Sequence, residues 1–191
     1  VARLEACEVE FDQRLTALRT VVVELTTEGR AELVDNAAAI VAGLPDLGDC
    51  ADSRTLAAGG GPPPDVAEKL PALQTKLAEI RVLVDAGLFR DAMGPAEALV
   101  KEADELGWPT MRVGAHQVLS EARLGMWMPN SVDELLTAAT IATEARLDRE
   151  AARAYMIALV AAVSARKKET VATLAPIARA VIAPKSDGVL A

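Results

Sequence analysis

The chain carries one histidine, His116, among 191 residues. Arg112, Ser120 and Arg123 share its face: at roughly 100° per residue, the four fall within about 80° of one another on a helical wheel. Two guanidinium groups and an imidazole on one stripe can receive a carboxylate or a phosphate through charge-assisted hydrogen bonds. Arg112, His116 and Arg123 are therefore the candidate binding residues. The same spacing also flanks an apolar face of Met111, Ala115, Leu119 and Ala122, whose edge the arginine stems would cover. Any Ser-His-Asp or Cys-His site must use His116, and a multi-histidine metal centre is excluded. Glu102, Asp104 and Glu105 read as a solvated face, with no apolar surroundings to raise a carboxyl pKa. No catalytic residue, metal ligand or cofactor is expected, since an enzyme would need an acid–base pair in a cavity.

Two cysteines, Cys7 and Cys50, are too few for a disulfide scaffold and too far apart for a CxxC pair. Two readings stand open: a bridge pinning a loop to the first helix, or two thiols acting as small apolar groups. The cations Arg166-Lys167-Lys168 suit a helix C-terminus, where positive charge complements the dipole, or a docking patch. Trp108 and Trp127 read as plugs between helical hairpins, or as interface anchors. Gly59 to Pro64, GGGPPP, lacks the Gly-Lys-Ser/Thr ending of a phosphate loop and reads as a linker.

Composition decides which elements must position these groups. Acidic residues number 28 against 20 Lys and Arg, giving a net charge of −8. That disfavours nucleic-acid binding. Hydrophobic residues make up 51% and aromatics only 3%, and alanine supplies 38 positions. Such a core is aliphatic and helical, not a β-sandwich. The longest apolar run, Ala154 to Val163, is ten residues; a membrane-spanning helix needs about 20. A soluble region without membrane insertion is expected. The start at Val1, with no signal-peptide pattern, and the uncapped end suggest a fragment of a longer protein.

The first segment, about Ala2 to Thr27, places Leu4, Cys7, Phe11, Leu15, Leu18, Val22 and Leu25 on a stripe averaging 3.5 residues. That is the seam of a bundle helix or of a coiled coil. A second helix is expected over Arg30 to Ala42, antiparallel to the first. From Asp65 the chain reads as almost continuous helix. Gly87 and Gly107 are stops, Pro109 is a start, and Pro71, Pro95 and Pro176 lie inside helical stretches. Ser131 with Glu134 resembles a capping box, and Asp148 a further cap. About eight helices result: a hairpin over 1–43, a linker over 44–64 with a short turn over Arg54 to Ala58, and hairpins over about 65–107, 108–147 and 148–184.

The turns repeat. Gly87-Leu88-Phe89 and Gly125-Met126-Trp127 are 38 residues apart, and Leu99, Glu102 and Ala103 match Ile141, Glu144 and Ala145 at 42. A two-helix unit at such a spacing is the mark of a helical solenoid, in which stacked hairpins share one core. The expected fold is all-α: a right-handed superhelix of antiparallel helical hairpins.

AGLFRDA at Ala86 to Ala92 resembles the turn of a tetratricopeptide repeat, with Gly for the turn, Phe89 between helices and Ala92 for close approach. Together with the Cys50-Ala51-Asp52 step, Leu56 and the Pro-rich linker, it resembles the tetratricopeptide-containing C-terminal region of bacterial serine/threonine protein kinases of the myxobacterial type. Leu44 to Leu56, Ala86 to Glu105 and Leu174 to Ala180 carry the likeness best. It implies a kinase domain before this region, often with a membrane-spanning helix between, and repeats that sense or dock a protein or peptide. In members that place the region outside the cytoplasm, a Cys7–Cys50 disulfide could persist. The stretch Gly125-Met126-Trp127-Met128-Pro129 departs from the turn pattern. Kinase motifs are absent from the sequence. The expected function is docking of a protein or peptide partner; the alternative is a homodimer joined through the first helix.

Overall fold

The structure is a computed structural model that describes residues 2–27, 31–43, 62–128 and 130–182. Among these residues it is all-helical: α1 (Ala2–Thr27), α2 (Ala31–Asp35), α3 (Ala37–Gly43), α4 (Pro64–Asp85), α5 (Phe89–Leu106), α6 (Pro109–Gly125), α7 (Ser131–Glu144), α8 (Asp148–Ser164) and α9 (Lys168–Ile182). From α4 onward each helix packs on the next, and α4 also touches α6. The short connections leave each helix no course except back along its predecessor. Cys50 and the expected turn over 54–58 lie outside the described residues, as does the Cys7 side chain.

Among the described residues the helices number nine against the expected eight, because the second helix is broken. Asn36, a poor helix former, sits in a turn between α2 and α3. Its side-chain amide donates instead to the Ala86 carbonyl at 3.0 Å, at the end of α4. Conversely, Pro71, Pro95 and Pro176 each stay inside an unbroken helix. Pro64 and Pro109 stand in the first turn of α4 and α6, where the missing N–H costs nothing.

Helix ends follow one rule. Positive φ occurs at Gly87, Gly107, Trp127, Arg146 and Arg166, spaced 19 or 20 residues apart. At four of them the next residue's N–H bonds to the carbonyl five residues back, as Leu88 does to Leu83 and Met128 to Arg123, the Schellman closure of a helix. This corrects the sequence repeat in two places. The partner of Gly87 is Trp127, not Gly125. Likewise Ala103 corresponds to Ala142, not Ala145, and both are fully buried.

The core is built from small side chains. Ala92, Ala96, Ala103, Leu99, Val118 and Ala122 join α4, α5 and α6. Val113, Ala138, Ala142, Ala151 and Ala154 join α6, α7 and α8. Leu135, Ala158 and Leu174 carry the packing on to α9. Each fully buried leucine contributes about 1.5–3 kcal/mol, and each alanine lets the backbones close in. At the other end, the described side chains of the expected α1 stripe face mostly outward, with Leu15 half-buried. Ala17 and Val21 pack against Ala78, Val82 and Ala86 of α4, with Leu33 and Ile40 beside them. Phe11, Leu18 and Val22 remain exposed.

Phe89 of the turn-like motif fills the space expected of it, against the first core, and Ala92 is fully buried. Its ring lies where a Cβ on Gly125 would stand. Gly125 is helical, so its smallness serves packing and not backbone conformation. Gly125→Ala is expected to destabilise the fold by about 1–3 kcal/mol by overpacking, despite the better helix propensity of alanine. Gly94 in α5 has open space around it. Gly94→Ala is therefore expected to stabilise by about 0.5–1 kcal/mol, and urea unfolding of the two variants reads the opposite signs.

Candidate functional site

α6 presents Arg112, His116, Ser120 and Arg123 together, as their spacing requires, but it presents them inward. His116 is 6% exposed and Ser120 fully buried. Burying such groups demands partners, and carboxylates from the neighbouring helices supply them. His116 Nδ1 lies 2.7 Å from Glu134 Oε2 of α7, and Nε2 lies 3.5 Å from Asp104 Oδ1 of α5. Arg112 Nε donates to Asp104 at 2.7 Å. Arg123 donates to Glu134 Oε1 at 2.6 Å and, more loosely, to Glu97 at 3.4 Å. The three candidate binding side chains thus face carboxylates of their own chain across a seam between α5, α6 and α7.

Two readings of the sequence change here. Glu134 does not close a capping box: no side chain caps α7, and its carboxylate reaches across to His116 and Arg123. Asp104 is not merely solvated. Burial raises its carboxyl, but the hydrogen bond from Arg112 and the nearby charges of His116 and Arg112 outweigh that and hold it below the usual range. Glu102 does sit at the surface, paired with Lys76 of α4 at 2.6 Å. Glu134 and Glu97 were missed as seam residues. The available signal was the match of their charges to an arginine stripe one helix away, which spacing within a single helix does not show.

Ser120 continues the seam. Its hydroxyl donates to the Ser131 carbonyl at 2.6 Å, and the Ser131 hydroxyl donates to the Met128 carbonyl at 3.1 Å. These bonds tie the turn between α6 and α7 to α6. Trp127 stands on that turn at φ 56 with 85% of its surface exposed. It is no plug between hairpins, unlike Trp108, which packs against the first core. Next to Trp127 opens an apolar groove of about 340 Å³, lined by Leu124, Met128, Val132, Ile157 and Val160. Lys167, from the turn between α8 and α9, is the one charged residue of its lining among the described residues.

A second charged group joins α4 to α6. Arg81 pairs with Glu121, and Asp85 lies beside them at the last residue of α4. Burial pushes the Asp85 carboxyl up to about 6; Arg81 and Arg153 pull it down and Glu121 pushes it up. A negative charge at a helix C-terminus is unfavourable besides.

Among the described residues there is no cluster of His, Cys, Asp and Glu that could hold a metal ion, and no helix long and apolar enough to cross a membrane. No family model, curated protein or solved structure matches the chain.

Glu134→Ala would strand Arg123 and His116 in a seam where both pairing side chains are about four-fifths covered. A loss of about 2–4 kcal/mol is expected in urea unfolding, with a smaller loss for Glu134→Gln, which keeps an acceptor oxygen. Asp85 generates a pH dependence. Between its unfolded value of 3.8 and its folded value of about 6, the folded chain holds the extra proton, so stability falls as pH rises through that window. Asp85→Asn removes the fall. Its advantage should be smallest near pH 3.5 and grow to about 1–2 kcal/mol at pH 7, after allowance for solvent screening of a half-buried group. Thermal unfolding at the two pH values measures it.

Proposed function

We propose that this chain is a non-catalytic protein-interaction region that docks a peptide or protein partner on stacked helical hairpins arranged as a right-handed, tetratricopeptide-like superhelix. One observation carries the reading: an apolar groove lies open beside an exposed tryptophan at the tips of two successive hairpins. Exposed apolar surface of this kind marks interaction sites, and tryptophan is the side chain most enriched among their anchors. The inward-facing polar seam supports the same reading. It spends the basic side chains of α6 on joining helices, and so leaves recognition to the hairpin tips. The resemblance to the C-terminal regions of bacterial serine/threonine kinases rests on the local residues that carry it, and supplies a context in which docking would report to a kinase domain of the parent protein.

A second reading, self-association through α1, draws on the exposure of Phe11, Leu18 and Val22 along one helix. Spacings of seven and four residues suit a seam between two copies. Selection of a random peptide display library on the folded chain, followed by hydrogen exchange, tests the first reading: enriched peptides should protect amides in α6 to α9. Absence of any enriched binder would sink it. For the second reading, mass measured by light scattering should double over a concentration series and return to that of one chain in Phe11→Glu.

A further inference from the structure

The groove has a floor, a mouth and a charge, and together they describe its occupant. The floor is aliphatic: Leu124 from α6, Val132 from α7, and Ile157 and Val160 from α8. Trp127 and Met128 stand at the mouth on the turn that Ser120 and Ser131 tie down. The turn between α8 and α9 places Lys167 in the lining, and Arg166 and Lys168 flank it in sequence, all three exposed. In a chain of net charge −8, three adjacent cations reverse the sign locally. A partner drawn to this spot must carry apolar side chains to fill the groove and negative charge to meet its rim.

We propose that this groove takes the apolar face of an acidic amphipathic helix from another protein, anchored on Trp127 and steered by Arg166, Lys167 and Lys168. The proposal rests on the docking reading above and names its partner. Side chains spaced i, i+3, i+4 and i+7 on such a helix present a row of knobs suited to a groove of this kind. The concavity favours a helix over a lipid surface, because a membrane takes up protruding apolar side chains and leaves a recess unfilled.

Two labelled peptides of about 15 residues test this by fluorescence anisotropy. Both carry Leu at i, i+3, i+4 and i+7; one has Glu and the other Lys among the remaining positions. The Glu peptide should bind at least tenfold more tightly than the Lys peptide, and its affinity should fall as salt rises. Trp127→Gly should weaken it tenfold or more. Glycine fits the positive φ of that position, so the fold should hold, as circular dichroism would confirm. Lys167→Glu combined with Lys168→Glu should reverse the preference between the peptides. Equal affinities, or a Glu-peptide affinity untouched by Trp127→Gly, would overturn the proposal. So would binding to phosphatidylserine vesicles with no binding of either peptide, or self-association abolished by Trp127→Gly. Library peptides that bind the chain but ignore Trp127 and the rim cations would leave the docking reading standing and this inference overturned.

Discussion

The carboxylate of Glu134 holds the middle of the molecule together. One oxygen meets His116 and the other Arg123, so a single side chain of α7 pairs with two basic groups of α6. Burying His116 or Arg123 without that carboxylate would cost more than the surrounding alanines could offset. The alanines, in turn, let α7 lie close enough for the carboxylate to reach. The pairing ties α7 to α6, and the Ser120 and Ser131 bonds hold the turn between them. The position of Trp127 follows from that turn, and so does the groove beside it. The geometry of the hairpin tips thus depends on the polar seam between α6 and α7.

The seam differs in kind from the packing on either side. From α7 to α9 contact is made mostly by alanine and aliphatic side chains, which discriminate weakly among registers, while between α4, α5 and α6 ion pairs such as Lys76–Glu102 and Arg81–Glu121 stand beside such packing. A shared carboxylate with two directional partners is satisfied in one register only. Charged and hydrogen-bonded pairs can serve this role in helical assemblies. The helix ends add a second constraint. A left-handed residue every 19 or 20 positions gives hairpins of nearly constant length, longer than the 34 residues of a tetratricopeptide unit. Where that residue is Trp127, Arg146 or Arg166, a bulky or charged side chain takes a conformation usually left to glycine. Trp127 lines the groove, and Arg166 directly precedes Lys167 of its lining.

Much of the helical order was legible, because it depends on local chemistry. Alanine content, Pro109 in a first turn, and Gly87 and Gly107 as stops placed α4 to α9 along the chain. The four-residue face of α6 was legible too, since 3.6-residue periodicity needs no neighbour. What the spacing could not show was direction. A stripe of Arg112, His116 and Arg123 looks alike whether it faces water or a carboxylate on the next helix, and Glu134 looked like a cap because Ser131 stands three residues before it. The stripe of α1 failed for the same reason. Phe11, Leu18 and Val22 are more regularly spaced, and the first two larger, than Ala17 and Val21, yet the latter pair faces α4, where the small Ala78 and Ala86 favour close approach.

The same logic explains why the hairpin tips were the hardest part to read. Trp127 is one of two tryptophans, and size alone argues for burial of both. Trp108 obeys, since it precedes Pro109 and turns into the first core. Trp127 occupies the left-handed position of a Schellman turn, and that backbone geometry points its side chain away from the helix it terminates. Hydrophobicity therefore lost to a backbone requirement that came from the helix end. A chain that holds an indole outward in this way, over an aliphatic recess and beside its densest run of positive charge, has placed its apolar surface by the same turns that stop its helices.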